Sequence, residues 1–443
     1  MHSSSSSIRD FRVINSAVSG SAPSRGILFF LRFRRVVAEK MMMTRMTTRT
    51  TTTVFTNSRS KRSKRIIIKR LRFRRRAKVE EEDKEEVFDE IPVLSGERFL
   101  QLHREKTTPD DDDENCLLAM YSSHVRAITT DSASFVMKVD DHGFHRGHAV
   151  FDTVSIDAET RTFQDLDYHL DRLNTSAEMA FLTFPKGLES LDSLARIVKE
   201  TVSAAFEEKE RRQRGRSISS RTSSSDCCSS MMQARFYLTA GVGGFSLSAK
   251  ECAEGSNFYC VVIERTKAET TKALRARTTP IAVKNKPFSN IKSTNYLQNC
   301  MIATDAEMHG CDVGIWIAND GKVLEGPSAN VAFVDDRGIF IAPKVDDVLD
   351  GVTMRRCFEF IEKGLLADVG VVECERRDCS FRELVLERRA KECMMIGSVV
   401  QCVPIEKWDD VDIGRDEGEN GRNKVAVRLK ELLEKDARGI RVS

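Results

Sequence analysis

The sequence predicts a mixed α/β fold of two domains behind a basic leader, and three observations carry that reading. A chain of 443 residues is long enough for two or three domains, each burying its own core. Short apolar runs with turn signals between them alternate irregularly with helical stripes, without the regular βαβ alternation of a doubly wound sheet and without a visible repeat of 20–50 residues. The charge is also divided. Residues 1–78 hold 21 lysines and arginines against two acids, a net +19, while the other 365 hold 49 bases against 65 acids, a net −16.

The leader comes first. Residues 1–60 contain 19 serines and threonines, and the apolar patch Ile27–Leu31 is followed by Arg32, Arg34 and Arg35. Ser, Thr and Arg enrichment with few acids is the composition of an organelle transit peptide, which points to a plastid, with the mitochondrion second. Two other readings stay open: a nucleic-acid arm built on Lys61–Lys78, and an upstream stretch preceding a start at Met41, Met42, Met43 or Met46. An apolar run as short as Ile27–Leu31 excludes an integral membrane protein. Twelve cysteines without a CxxC pair suggest a reducing compartment and no structural zinc.

The body divides by composition into a smaller domain over 79–265, a linker over 266–277 and a larger domain over 278–443. The acidic run Glu80–Glu90 opens a first helix. Strands follow at Leu117–Tyr121, Ala127–Thr130 and Phe135–Lys138, then a hairpin of Val150–Ile156 and Thr162–Phe163. Leu170, Leu173, Ala177 and Ala180 stripe a helix over Tyr168–Ala180, and Leu188–Phe206 is a second. The charged, then Ser-rich stretch over about 207–232 reads as a disordered insertion before the strand Arg235–Ala240. Strand Phe258–Glu264 ends this domain. Beyond the linker come strands at Ala282–Val283 and Gly314–Ala318, a helix over Tyr296–Met308 and a hairpin of Asn330–Val334 with Ile339–Ala342. Met354, Phe358, Ile361 and Leu365 then stripe a helix, and two strands flank Gly397-Ser398.

Three constellations are candidates for chemistry. His142, His145 and His148 stand at spacing three, but neither HExxH nor a cysteine pair accompanies them, so Gly143 and Gly147 are better read as backbone held close to a ligand. Gly241-Val242-Gly243-Gly244 lacks the lysine and hydroxyl of a phosphate loop and reads as a turn. The third set is richer. Lys292 precedes a helix, Glu325 stands where a strand ends in Gly-Pro, Gly351-Val352-Thr353 opens a helix, and Gly397-Ser398 follows a strand. A lysine, a fixed carboxylate and a cradle of helix-opening amides and hydroxyls are together what pyridoxal 5′-phosphate (PLP) requires.

These stretches resemble the class IV aminotransferases. The resemblance rests on HRGHAVFDT (145–153), HLDRLNTSA (169–177), KSTNYL (292–297), EGPSANVAF (325–333), DGVTMRR (350–356) and IGSVVQCVPI (396–405). The segments MYSS (120–123), DDHGFHRGH (140–148) and LTAGVGGFSLS (238–248) are most similar to the plant and algal D-amino-acid transaminase group, part of which is assigned as aminodeoxychorismate lyase. The resemblance implies the two-domain PLP fold type IV with the cofactor at the domain interface, and a homodimer. It implies Lys292 as the imine-forming lysine, Glu325 at the pyridinium nitrogen, and Arg172, Val352, Thr353 and Ser398 at the phosphate; Tyr296 matches a position near the cofactor hydroxyl.

The departures concern the substrate. Where bacterial D-amino-acid transaminases have Thr-Arg-Gly, this chain has Thr239-Ala240-Gly241, and where other members carry a site tyrosine it has Arg146. Arg146 and Arg235 are therefore the expected clamps for the substrate carboxylate, with Phe151 and His148 beside them. The reaction expected is transamination of a D-amino acid such as D-alanine with a 2-oxo acid. Aminodeoxychorismate lyase and branched-chain aminotransferase activities use the same groups. A nucleic-acid-binding protein is opposed by the acidic body and its few aromatic residues. Residues 1–80 fused to a fluorescent reporter should direct it to plastids; a diffuse cytosolic or nuclear signal would refute the import reading.

Overall fold

The computed structural model describes residues 91–107, 115–215, 230–252, 254–266, 272–414, 422–435 and 442. The leader and the expected helix over 80–90 lie outside these residues. The first described helix is α1 (Gly96–Thr107). No helix among the described residues is long and apolar enough to cross a membrane.

The first half is a six-stranded antiparallel sheet. Its strands are β1 (Asn115–Ser122), β2 (Ala127–Thr129), β3 (Ala149–Asp157), β4 (Thr162–Phe163), β5 (Ser230–Thr239) and β6 (Asn257–Thr266), in the order β2-β1-β6-β5-β3-β4. Side-chain alternation sorts its faces. Met232, Ala234, Phe236 and Leu238 of β5 and Val150, Val154 and Ile156 of β3 all join one core. Helices α3 (Leu166–Met179) and α4 (Leu191–Gly215) close that core, with Leu166, Leu170, Leu173 and Ala177 at helical spacing. The residues of opposite parity, Phe151 and Thr153 on β3 and Arg235 on β5, line a cavity on the other face. The four-residue helix α2 (His142–His145) precedes β3.

The second half is built on an eight-stranded mixed sheet. Strands β7 (Leu274–Thr278), β8 (Val313–Ile315), β9 (Asn330–Asp335), β10 (Ile339–Ala342), β11 (Glu373–Arg376), β12 (Ala390–Gly397) and β13 (Gln401–Trp408) run in the order β11-β10-β9-β12-β13-β7-β8, and β14 (Val411–Asp412) pairs with β13. Its central strands are buried on both faces: Val331 and Phe333 of β9 pack in one cluster, Ala332 and Val334 in another. The latter face is covered by α6 (Val352–Glu362) and α7 (Lys424–Lys435); α5 (Leu297–Met308) precedes β8.

Four local expectations are corrected. The charged start of the supposed insertion is helical to Gly215, because Glu208 pairs with Arg211 and Arg212 at 2.7 Å one turn away and Lys209 reaches Glu264 at 2.7 Å; β5 begins at Ser230. The supposed linker is encroached on from both sides, by β6 to Thr266 and by β7 from Leu274. No strand forms over 135–138; instead the Asp131 side chain accepts from Ala133 N and Ser134 Oγ and caps a 3-10 turn. Residues 282–283 are in a loop.

Buried Asp141 ties the 141–148 loop to the sheet. Its Oδ1 accepts from Gly143 N at 2.8 Å, and Oδ2 accepts from Thr239 Oγ1 (3.0 Å), Tyr259 OH (3.0 Å) and Asn257 Nδ2 (3.3 Å). Gly241 follows at φ 104°, where a Cβ would lie 1.8 Å from the Gly255 carbonyl oxygen, and Val242 bridges to Asp141, so this stretch runs along the 141–148 loop with glycine required by both dihedral and space. Replacing Asp141 with Ala strands these donors and should lower unfolding free energy by at least about 2 kcal/mol in urea titrations. A loss under about 0.5 kcal/mol would contradict the role.

Candidate active site

Lys292 sits on a segment that docks along β3. Its carbonyl accepts from Phe151 N at 2.9 Å, its own N–H donates to Ser176 Oγ at 3.2 Å, and Thr294 N donates to Ala149 O at 3.0 Å. The backbone is thus fixed by both a strand and a helix of the first half, and the side chain enters a cavity of about 300 Å³. That volume is at the lower end of the range for small-molecule sites. The ε-amine stands 3.4 Å from Tyr296 OH and 4.7 Å above the Phe151 ring. Burial and the neighbouring Arg172 charge bring its pKa down to about 8.

Glu325 also lines the cavity. Oε2 accepts from Leu349 N (3.1 Å) and Asn330 Nδ2 (3.2 Å); both hydrogen bonds fall on this one oxygen, so Oε1 keeps its capacity to accept. Burial raises the Glu325 pKa to about 7, against the pull of the Leu349 amide and of Lys284 and Lys292. Lys284, which the sequence reading did not single out, lies in the cavity wall 4.8 Å from the Tyr296 ring.

A second group of donors lines the same cavity: Arg172, Val352, Thr353 and Ser398. Gly351 is the N-cap of α6 and brings no side-chain oxygen of its own to the first amides of that helix. Thr353 Oγ1 lies 3.4 Å from Ser398 Oγ, and Arg172 Nη1 donates to Asp350 O at 3.1 Å, beside the helix start. Amides, two hydroxyls and a guanidinium at a helix N-terminus suit a phosphate.

The structure therefore brings together Lys292, Glu325, Arg172, Val352, Thr353, Ser398 and Tyr296, with Phe151 and Arg235 in the same wall. Two expected residues are not brought there. The exposed Arg146 guanidinium donates to the carbonyls of Phe245, Ser246 (3.2 Å) and His145 (3.1 Å), which hold it on the 245–246 loop. His148 Nε2 is bonded to Ala180 O at 2.9 Å instead. Neither lines the cavity. Asp152 and His169, both buried behind Arg172, were missed; their signal was a lone carboxylate within the apolar run of β3 and a histidine one turn before the arginine.

Two buried polar atoms bear on whether a cofactor fits here. Arg235 Nε and Asn299 Oδ1 are buried without a hydrogen-bond partner among the described residues, and both side chains line the cavity. With an amine in one wall, a carboxylate with an open oxygen and an anion cradle, the donor set fits a phosphorylated heteroaromatic aldehyde.

Comparison with known proteins decides the family. Residues 149–408 match the model of amino-transferase class IV. The chain belongs to that family. It is a PLP-dependent aminotransferase with a mixed α/β fold of type IV. It is 36% identical over 357 residues to the chloroplastic D-amino-acid transaminase of Arabidopsis thaliana, covering 79% of this chain and 83% of that one. Its fold is similar to the branched-chain aminotransferase of Thermoproteus uzoniensis with norvaline (TM-score 0.56, 20% identity, 72% of this chain and 96% of that). It is also similar to the T.th. branched-chain amino acid aminotransferase with pyridoxamine 5′-phosphate (TM-score 0.57, 20% identity, 73% and 94%).

The depressed Lys292 pKa has a direct consequence. In cofactor-free enzyme, reductive methylation of Lys292 should rise through pH 8 and level off above about 9, whereas exposed lysines continue to gain reactivity past 10. Peptide mapping by mass spectrometry reads both, and equal profiles would contradict the buried amine.

Proposed function

We propose that this aminotransferase moves the amino group of a D-amino acid, D-alanine being the first candidate, to a 2-oxo acid. The cavity in which Lys292, Glu325 and Arg235 converge carries the reading of the site, and the Arabidopsis thaliana relative, named a D-amino-acid transaminase, supports the stereochemistry.

The bound cofactor supplies the aldehyde that takes the amino group and the ring that receives electrons freed at the substrate Cα. The remaining tasks fall to this chain. The Lys292 amine, half neutral near pH 8, is the general base that moves the α-proton. Glu325, its carboxylate held by Leu349 and Asn330, would accept the ring N–H. Arg172, Ser398, Thr353 and the amides opening α6 hold the phosphate. Phe151 and Tyr296, with ring centroids 5.2 Å apart, wall the amine and limit water beside it.

Arg235 is the carboxylate clamp in this reading. It lies on the cavity face of β5, and its unpartnered Nε has no protein acceptor to satisfy it among the described residues. A guanidinium there offers two parallel N–H groups to an α-carboxylate. Because Arg146 is held on its loop, it has no part in this arrangement.

We propose also that residues 1–78 are a plastid transit peptide, supported by their composition and by the chloroplastic relative. The domain division expected from the sequence, with the cofactor between the two halves, and a homodimer belong to the same proposal. Exposed Leu297, Met301 and Met308 on α5 support the dimer.

Replacing Arg235 with Leu should raise KM for D-alanine at least about tenfold, the loss of one charge-assisted hydrogen bond or more, while PLP affinity stays unchanged. An unaltered KM would remove Arg235 from the substrate site. Wild-type activity confined to L-leucine, or to aminodeoxychorismate, would overturn the D-amino-acid assignment.

A further inference from the structure

One buried carboxylate stands behind the whole phosphate end of the cavity. Asp152 is fully buried and shares the core-facing parity of Val150, Val154 and Ile156, a place that ordinarily takes an apolar residue. Its Oδ2 accepts from Arg172 Nε at 2.8 Å, and Oδ1 accepts from Arg172 Nη2 (2.8 Å), from His169 Nδ1 (2.8 Å) and from Thr153 N (2.7 Å). The side-on pairing uses the Nε/Nη2 edge of the guanidinium and turns Nη1 to the Asp350 carbonyl, at the start of α6. His169, 2% exposed, is held through Nδ1, so Nε2 is the atom that meets Ser398 Oγ, at 3.4 Å. Ser398 Oγ in turn lies 3.4 Å from Thr353 Oγ1. Two arms of different chemistry thus start on one anion and end at the same helix terminus.

We propose that Asp152 is the positioning residue of the cofactor phosphate site, setting the Arg172 guanidinium directly and the Ser398 hydroxyl through His169. The proposal rests on the assignment of Arg172, Thr353 and Ser398 to the phosphate. Burial alone would push the Asp152 carboxyl up, but Arg172 and His169 hold it well below the usual carboxylate range, so the anchor stays charged. Burial keeps the His169 pKa below its ordinary value. The Asp152 charge also cancels that of Arg172, so the site recognises phosphate by aimed donors more than by net charge.

That cancellation makes the proposal testable by the sign of an effect. Were Asp152 merely a counter-ion for a buried arginine, Asp152→Asn would leave excess positive charge beside the anion and tighten phosphate binding. As a positioning residue, its loss lets both arms turn away and weakens binding. The test titrates cofactor-free full-length enzyme with PLP and with pyridoxal, which has no phosphate, following absorbance. Asp152→Asn should raise the Kd for PLP at least 20-fold and change that for pyridoxal less than threefold. Arg172→Gln should give the same phosphate-specific loss.

His169→Asn keeps a donor toward Asp152 while shortening the arm to Ser398, and should weaken PLP fivefold or more with pyridoxal unchanged. It serves as the second variant where Asp152→Asn does not fold, as judged by circular dichroism. An Asp152→Asn enzyme that binds PLP as well as or better than wild type overturns the proposal while Arg172→Gln still discriminates. If Arg172→Gln treats both ligands alike, the phosphate assignment fails and the proposal falls with it.

Discussion

The site depends on a short run of backbone hydrogen bonds that fixes segment 291–295 along β3. Phe151 N to Lys292 O and Thr294 N to Ala149 O hold a piece of the second half of the chain against the edge of the first. An isolated bridge of Val150 with Ser293 continues the register. Because the lysine's own carbonyl is bonded to β3 and its own N–H to Ser176 Oγ, the amine is carried by a backbone anchored on both sides. Its neighbours follow from strand parity: with Val150 turned into the helical core, Phe151 must face the amine.

Burial then sets the chemistry. A lysine and a glutamate enclosed in one cavity are each driven toward neutrality, one pKa falling to about 8 and the other rising to about 7. An amine that gives up its proton near pH 8, well below a free lysine, and a carboxylate ready to ionise against a ring N–H are what the proposed reaction needs from them. At the other end the charges are not relieved but paired: the arginine lies beside a carboxylate that holds it by two hydrogen bonds. One end of the cavity is tuned by desolvation and the other by ionic pairing.

Much of this was legible in the residues themselves. Lys292, Glu325 and the Gly-Val-Thr and Gly-Ser turns announce themselves because each stands at a junction where backbone geometry is restricted, and the apolar strands of both sheets follow from runs such as Asn330–Asp335. What was hidden has physical reasons. Sequence gives a side chain's place but not its direction, so Arg146, three residues before the core strand, was read toward the site although its loop carbonyls hold it elsewhere. Composition made 207–215 look unfolded because it counts charges without their helical partners, while β7, written Leu-Arg-Ala-Arg-Thr, buries only Ala276 deeply. Asp152 was overlooked since a single acid in an apolar strand carries meaning only once Arg172 is seen against it.

The central claim is that Lys292, and not Lys284 in the same wall, bonds the cofactor. Borohydride reduction of enzyme loaded with PLP, followed by peptide mass mapping, tests it most directly. The account predicts one phosphopyridoxyl group per chain, on Lys292, with loss of the visible absorbance band. A label on Lys284 or another lysine, or a protein that remains colourless when PLP is supplied, would contradict it.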